Sequence, residues 1–463
     1  MNIKKVLKQY FFILTEESFV FATLIKWVFL SGMIGALVGV CVNLFLKTLD
    51  FSLEQGANYP HVYLVLPLIF VINRLVTRYV SPDSAGHGTE KVIKAVHKRD
   101  GDMRFRVVPI KFCMTILTLG FGGSAGKEGP CAQIGAALSS SIAKFFNFTK
   151  EDRKKMVICG VSAGFASVFG TPIAGAIFGV EVLFVGRLVY EFLLPSVIAG
   201  IVSYQVTQFF GGHSELLFIM PNPEFTAILC LKVLIAALVF GIGCIIFIEM
   251  MRFFHFLAKN YKTYFYRSAL IAGTFVIGIY VWHDTVLWGL GLNEISLALQ
   301  GETFSIITPF LKTLVTGITL HFGGSGGILT PILFVGSTLG TVIGKVFQAD
   351  PAMFAALGFV SFLAGTANTP IASCLLAIEL FGAGIAPYAC LSCILSFLVS
   401  GYRSVYPAQI MSIKKTKHSY INLGESISKQ QPHLSYHSLR KISKSKRLLK
   451  KLKNKLHLSF FSL

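Results

Sequence analysis

The sequence predicts an all-α polytopic membrane protein made of two related halves with broken helices. Three observations lead there. The first is composition: of 463 residues, 54% are hydrophobic and 14% charged, with a mean hydropathy of +0.67, whereas soluble domains carry about 25% charged residues. The second is block length. Apolar blocks recur from 23–47 to 386–401, and several fall short of the ~20 residues that a hydrocarbon core of ~30 Å requires or are interrupted by Gly and Pro. Helices can stop inside a membrane only where protein or a water-filled cavity covers the loose backbone.

The third observation is a duplication. Ile110–Pro130 lies over Leu311–Pro331 without a gap, matching Lys111 with Lys312, Thr115 with Thr316, Gly122 with Gly323, Ser124 with Ser325 and Pro130 with Pro331. Thr171-Pro172-Ile173-Ala174 recurs as Thr369-Pro370-Ile371-Ala372, each followed by a glutamate seven residues beyond its Ala, Glu181 and Glu379. Two unrelated stretches in the same order make chance matching a poor explanation. Halves of this kind commonly pack with opposite orientation and form their site at the shared midplane. The expected organisation is an N-terminal interfacial helix at 1–20, membrane halves at 21–215 and 220–408, and a basic tail at 409–463.

In chain order, Lys4, Lys5 and Lys8 give residues 1–20 a polar side, and Phe11, Phe12 and Leu14 an apolar one, as in an interfacial helix. The first span follows. Residues 49–61 read as a polar loop, and a second span ends near Val80. Pro82–Thr89 reads as a turn into a helix from Glu90, and 95–106 as a charged loop. After residue 410 the composition turns polar, with an amphipathic helix expected around 438–457.

The net charge of +20 sits largely at the ends, with nine Lys/Arg and no acid between Arg440 and Lys455. The positive-inside rule places both termini in the cytoplasm. A basic tail on so apolar a chain suits anionic lipid better than nucleic acid. The nine cysteines lie mostly in apolar blocks without metal or disulfide spacing. No cleavable signal peptide is evident, since Glu16 and Glu17 follow a short apolar run.

The two repeated loops carry the chemistry. Gly122-Gly123-Ser124-Ala125-Gly126-Lys127-Glu128-Gly129-Pro130 and Gly323-Gly324-Ser325-Gly326-Gly327-Ile328-Leu329-Thr330-Pro331 each lead into an apolar helix. A helix N-terminus exposes unpaired N–H groups and about half a positive charge, so several such ends aimed at one point bind an anion with no fixed cation. Glycine permits close approach and proline in the first turn loses no needed hydrogen bond. Glu128 is costly at membrane depth unless paired, solvated or protonated. Ionised, it can sit in the site as a tethered anion; protonated, it can swing out and free the path. The alternative is a structural carboxylate that caps a helix or pairs with Lys127.

These residues resemble a known family, the CLC chloride channels and proton-coupled chloride transporters. Gly126-Lys127-Glu128-Gly129-Pro130 resembles its GxEGP loop and Gly327-Ile328-Leu329-Thr330-Pro331 its GxFxP loop. Gly86-His87-Gly88 stands where the family has GSGxP, and Ser404-Val405-Tyr406 resembles the segment with the pore tyrosine. Together the four motifs span 82–406.

The resemblance implies a helical homodimer of bacterial type, in an inner membrane, with a pore in each subunit between antiparallel halves. Glu128 is then the gating residue. Gly86, His87, Gly88, Gly126, Lys127, Gly129, Gly327, Ile328, Leu329 and Tyr406 surround the anion, with chloride as ligand and no cofactor. The tail is too short for the nucleotide-sensing domains of many members. Three departures stand out: His87 for serine, Leu329 for phenylalanine, and Glu181-Val182 where proton-coupled members often carry two acids. Val182 cannot relay a proton; a one-residue slip would leave Glu181 as the relay, while its counterpart Glu379 points to a structural pair.

The expectation is therefore chloride transport gated by Glu128, channel-like or weakly proton-coupled. Full proton/chloride exchange and fluoride export are alternatives within the family. A symporter for another substrate would need carbonyl-rich or acidic coordination, and an enzyme would need a metal set or nucleophile pair around the loops; neither pattern is present in the sequence.

Overall fold

The computed structural model describes residues 3–59, 61–212, 223–261, 264–283, 285–416, 419–430 and 433–434; of 3–16, 283, 285, 419–420 and 433–434 it describes the backbone alone. The first half comprises α1 (Ile3–Ala57), α2 (Leu66–Tyr79), α3 (Gly88–Lys98), α4 (Val107–Gly120), α5 (Glu128–Phe145), α6 (Lys150–Phe169), α7 (Pro172–Glu181) and α8 (Tyr190–Phe209). The second comprises α9 (Ala227–Asn260), α10 (Phe265–His283), α11 (Leu292–Leu299), α12 (Ile307–Phe322), α13 (Leu329–Val346), α14 (Pro351–Ala367), α15 (Pro370–Phe381) and α16 (Ala386–Val399). Among the described residues six helices are long and apolar enough to cross a membrane, while α4, α7, α14, α15 and α16 are shorter. Helix α14 is almost wholly buried, as its loose ends require, whereas α7, α15 and α16 keep Ile173, Ile371 and Ile394 exposed.

The halves are related by a two-fold axis that shows directly in the hydrogen bonds. Gly126 N–H donates to the Gly327 carbonyl at 2.8 Å and Gly327 N–H to the Gly126 carbonyl at 2.6 Å, so matched residues bond each other across the axis. Ser124 bonds Thr316 at 2.9 Å and Ser325 bonds Thr115 at 3.3 Å. The Glu181 carboxylate accepts from the N–H groups of Ile371 (3.1 Å) and Ala372 (2.7 Å), and Glu379 accepts from Ile173 (3.1 Å) and Ala174 (2.7 Å). Each glutamate closes its own helix and caps the N-terminus of the other, which antiparallel helices alone permit. The inversion, expected only by analogy from sequence, is thus visible as exchanged partners.

Core packing repeats the symmetry. A Cβ on Gly135 would lie 2.2 Å from the Gly160 carbonyl oxygen, and one on Gly336 2.3 Å from that of Gly358. Glycine at these crossings lets α5 meet α6, and α13 meet α14, backbone to backbone, as small residues do in membrane bundles.

The structure differs from the sequence reading in several places. Residues 3–20 do not form a separate helix: from Ile3 the backbone continues unbroken into the first span, because no Gly or Pro occurs before Gly32. Nor is 49–61 a loop. Helix α1 runs to Ala57, its polar residues alternating with Phe51 and Leu53, and Ser52 packs on Gly120 of α4. Helix α3 begins at Gly88 rather than Glu90 and extends to Lys98, so the charged loop is confined to 99–106. After Tyr406 the chain stays on the membrane half: β2 (Ile410–Met411) pairs in parallel with β1 (Phe184–Val185). The helix expected near 438–457 and the basic cluster lie outside the described residues.

Candidate anion site

Three helix N-termini converge. Helix α3 opens at Gly88, α5 at Glu128 and α13 at Leu329. A Cβ on Gly88 would lie 2.4 Å from the Gly129 carbonyl oxygen, and one on Gly327 2.8 Å from the Gly129 nitrogen. Any side chain at these positions would force the ends apart. Residue His87 forms a parallel bridge with Gly326, beside the Gly126–Gly327 pair. The structure therefore brings together the Gly86-His87-Gly88, Gly126–Gly129 and Gly327–Leu329 segments.

Glu128 lies at the centre, 3% exposed. Its carboxylate folds back over Gly126 and crosses the axis. The Thr330 hydroxyl lies 2.6 and 2.7 Å from its two oxygens, and the Thr330 N–H donates at 3.1 Å. Thr330 N–H is one of the first-turn donors of α13 that no helical carbonyl can satisfy. The carboxylate thus sits where an anion would, held by a charge-assisted bond. Lys127 is the N-cap residue of α5; the carboxylate oxygens are taken by Thr330 instead. Ile328 and Leu329 are buried at the start of α13.

Tyr406 reaches the site from a loop rather than a helix. Glu90 of α3 accepts from Ala408 N–H at 3.1 Å, and Gln409 donates to the carbonyls of Val182 (2.9 Å) and Ala367 (2.7 Å). These bonds hold the fully buried Tyr406 ring 5.7 Å from His87. The His87 Nδ1 and Gln133 Oε1 are buried with no hydrogen-bond partner among the described residues, and the buried Tyr406 and Thr89 hydroxyls have none but each other. Buried polar atoms are ordinarily satisfied, so this cluster at the start of α3 is the molecule's strongest sign of a polar ligand.

Beneath the loop lies Lys111, fully buried, its ammonium donating to Gly86 O at 2.6 Å. Beyond His87 opens a cavity of about 740 Å³ lined by Arg74, Arg78, Lys91, Lys94 and Lys259, with Glu90 as the acid. Such a funnel raises the local anion concentration.

Sequence reasoning missed Thr330, Thr89, Gln133 and Glu90, and assigned no role to Lys111. One signal was present: a lysine at the same place in both halves of an apolar repeat needs a reason. Glu181 and Val182 stand at the end of α7; the Val182 carbonyl accepts from Gln409 and the Glu181 carboxylate caps α15.

Comparison with known proteins agrees with this geometry. The Voltage gated chloride channel family profile matches residues 68–401. A Pseudomonas syringae protein named "Chloride/fluoride channel protein" is 35% identical over 403 residues, covering 83% of this chain and 86% of that one. The "H(+)/Cl(-) exchange transporter ClcA" of Vibrio cholerae is 28% identical, covering 79% and 82%. Among solved structures, a CLC-type fluoride/proton antiporter superposes with a TM-score of 0.80 at 28% identity, covering 84% of this chain and 98% of that one. A cyanobacterial Cl⁻/H⁺ antiporter, at 21% identity and a TM-score of 0.71, shares the fold. With its inverted halves and converging helix ends, this chain belongs to the CLC family of anion transporters and channels, and is not an enzyme.

Proposed function

We propose that the protein carries a small halide through the membrane past a gate formed by Glu128, with weak proton coupling through that carboxylate. The carrying observation is the seat of Glu128 on the Thr330 N–H and hydroxyl at the N-terminus of α13. Ionised, it occupies an anion position and blocks the path. Protonated, it loses the charge that holds it there, and a halide replaces it. The ion then meets the α3 N-terminus, His87, Thr89 and Tyr406 before the basic cavity.

Chloride was the first substrate expected from sequence. The names of the Pseudomonas syringae relative and of the fluoride/proton antiporter support fluoride as the favoured halide, and Thr and Tyr hydroxyls suit so strong an acceptor. Glu181 serves as a helix cap in this reading, and protons reach Glu128 along the anion route. The Tyr406 side, rich in Arg74, Arg78, Lys91 and Lys259, is cytoplasmic by the positive-inside rule, as are both termini, in a bacterial inner membrane. The exposed pair Ile173 and Ile371, matched across the two-fold with Leu194 and Ile394 nearby in the fold, supports a homodimer through α7, α8, α15 and α16.

The test is the reversal potential of purified protein in liposomes under opposed halide and pH gradients, with fluoride and chloride in turn. The reading expects larger fluoride than chloride flux and a potential displaced by the pH gradient. A potential indifferent to pH would remove the coupling; absence of halide flux would overturn the reading.

A further inference from the structure

A groove of about 530 Å³ runs along the outside of the molecule between α9, α10 and α12. Its walls are apolar: Phe254 and Leu257 from α9, Ile271 and Phe275 from α10, Ile318 and Phe322 from α12. No acidic side chain lines it. At one end, where the chain turns from α9 towards α10, Tyr261 and Tyr264 flank the mouth, 53% and 60% exposed. Arg267, in the first turn of α10, stands with its guanidinium carbon 5.9 Å from the Tyr264 ring and makes no ion pair with a described residue.

We infer that this groove binds an anionic phospholipid of the surrounding bilayer, with an acyl chain between α9, α10 and α12 and the phosphate at Arg267. Three features point to that occupant. An apolar slot on a membrane-facing surface takes a hydrocarbon chain. A tyrosine pair at its mouth marks the depth at which headgroups lie. An arginine without a carboxylate partner, placed at the positive end of a 19-residue helix, favours a net negative headgroup over a zwitterionic one. The same end of the molecule is basic: Arg78 lies 4.5 Å over the Phe265 ring, and Lys259 is close in sequence to Tyr261. The groove shares no lining residue with the basic cavity, and its Phe322 directly precedes Gly323, the start of the second repeated loop.

The experiment is native mass spectrometry of the full-length protein in detergent with an equimolar mixture of phosphatidylglycerol and phosphatidylcholine. The wild-type protein is expected to retain phosphatidylglycerol preferentially. Arg267→Gln should lower that retention about fivefold, the scale of one basic side chain at an anionic surface. Ile271→Trp, at an exposed position, should lower it further by filling the slot without adding a charge. Arg187→Gln, an exposed arginine outside the groove, should leave it unchanged. Equal retention by wild type and Arg267→Gln, or an equal loss in Arg187→Gln, would overturn the site. Because the readout is bound lipid, its failure leaves the halide reading untouched.

Discussion

The two repeated loops share one backbone and differ in chemistry. Lys127 and Ile328 cap their helices with similar dihedrals, φ −95° and −106°, and Gly126 and Gly327 pair across the axis. Three consecutive matched positions then diverge: Lys127 opposes Ile328, Glu128 opposes Leu329, and Gly129 opposes Thr330. One half supplies the carboxylate and the other the residue that receives it.

The loops before α3 and α11 diverge in the same sense. Lys111 donates to Gly86 O, while Lys312 donates to Leu287 O (3.0 Å) and Gly289 O (3.1 Å). Beside Lys111 stands His87. Around Lys312 stand Phe334, whose ring lies 4.8 Å from the ammonium, and the acidic Glu294 of α11. Duplication built a symmetric frame with two buried-lysine pockets; one neighbours unsatisfied polar atoms, and the other holds the Phe334 ring and Glu294. A site needs the frame and the broken symmetry together.

The largest expected contrast is between the lysines. Lys111→Met should weaken halide binding about tenfold by removing the cation behind the His87 loop, whereas Lys312→Met should leave affinity unchanged. Both variants leave buried carbonyls unsatisfied, costing about 1–3 kcal/mol. Calorimetric titration with halide and thermal melts separate the two effects; equal affinity losses would erase the distinction between the pockets.

Next is Thr330→Val, which removes the hydroxyl that holds ionised Glu128. A hydrogen bond to a charged group contributes about 1.5–3 kcal/mol, so the carboxylate leaves its seat more readily and halide flux at neutral pH should rise about tenfold. An unchanged flux from vesicles at neutral pH would show that Thr330 does not hold the gate.

Glu181→Gln and Glu379→Gln should behave alike, each costing about 1 kcal/mol as a lost cap and neither altering the proton-to-halide ratio. A changed ratio in Glu181→Gln alone would restore it as a relay and break its equivalence with Glu379.

The smallest effect lies in the loop at 99–106. The Lys144 ammonium hydrogen-bonds the Asp102 carboxylate and holds it below the usual carboxylate range. A depressed pKa in the folded state means the pair stabilises above about pH 3.9 and that this contribution is lost as pH falls further. The pair is half exposed, so Asp102→Asn should cost at most about 1 kcal/mol at neutral pH, measured by melting at neutral and acid pH.

Much of this was legible in the sequence because the repeat preserves residues with few alternatives. Gly126, Gly327, Pro130 and Pro331 are required by close approach and helix starts, and Glu128 is conspicuous in apolar surroundings. Thr330 was not legible, since a threonine in a membrane helix is ordinary until the opposite half folds a carboxylate onto it. Helix boundaries failed where polarity was used as the criterion. Asp50, Ser52 and Glu54 suggested a loop, yet nothing there breaks a helix, and α4 covers Ser52. The β1–β2 pairing joins residues more than 200 positions apart and is two residues long on each side, too little for any local signal.

The central claim is that a carboxylate competes with the halide for one seat. It is tested most directly by fluoride efflux from liposomes across a pH series, comparing wild type with Glu128→Gln. The account predicts that wild-type efflux rises as pH falls, and that the variant conducts faster and independently of pH. A variant with the wild-type rate and pH response would contradict it.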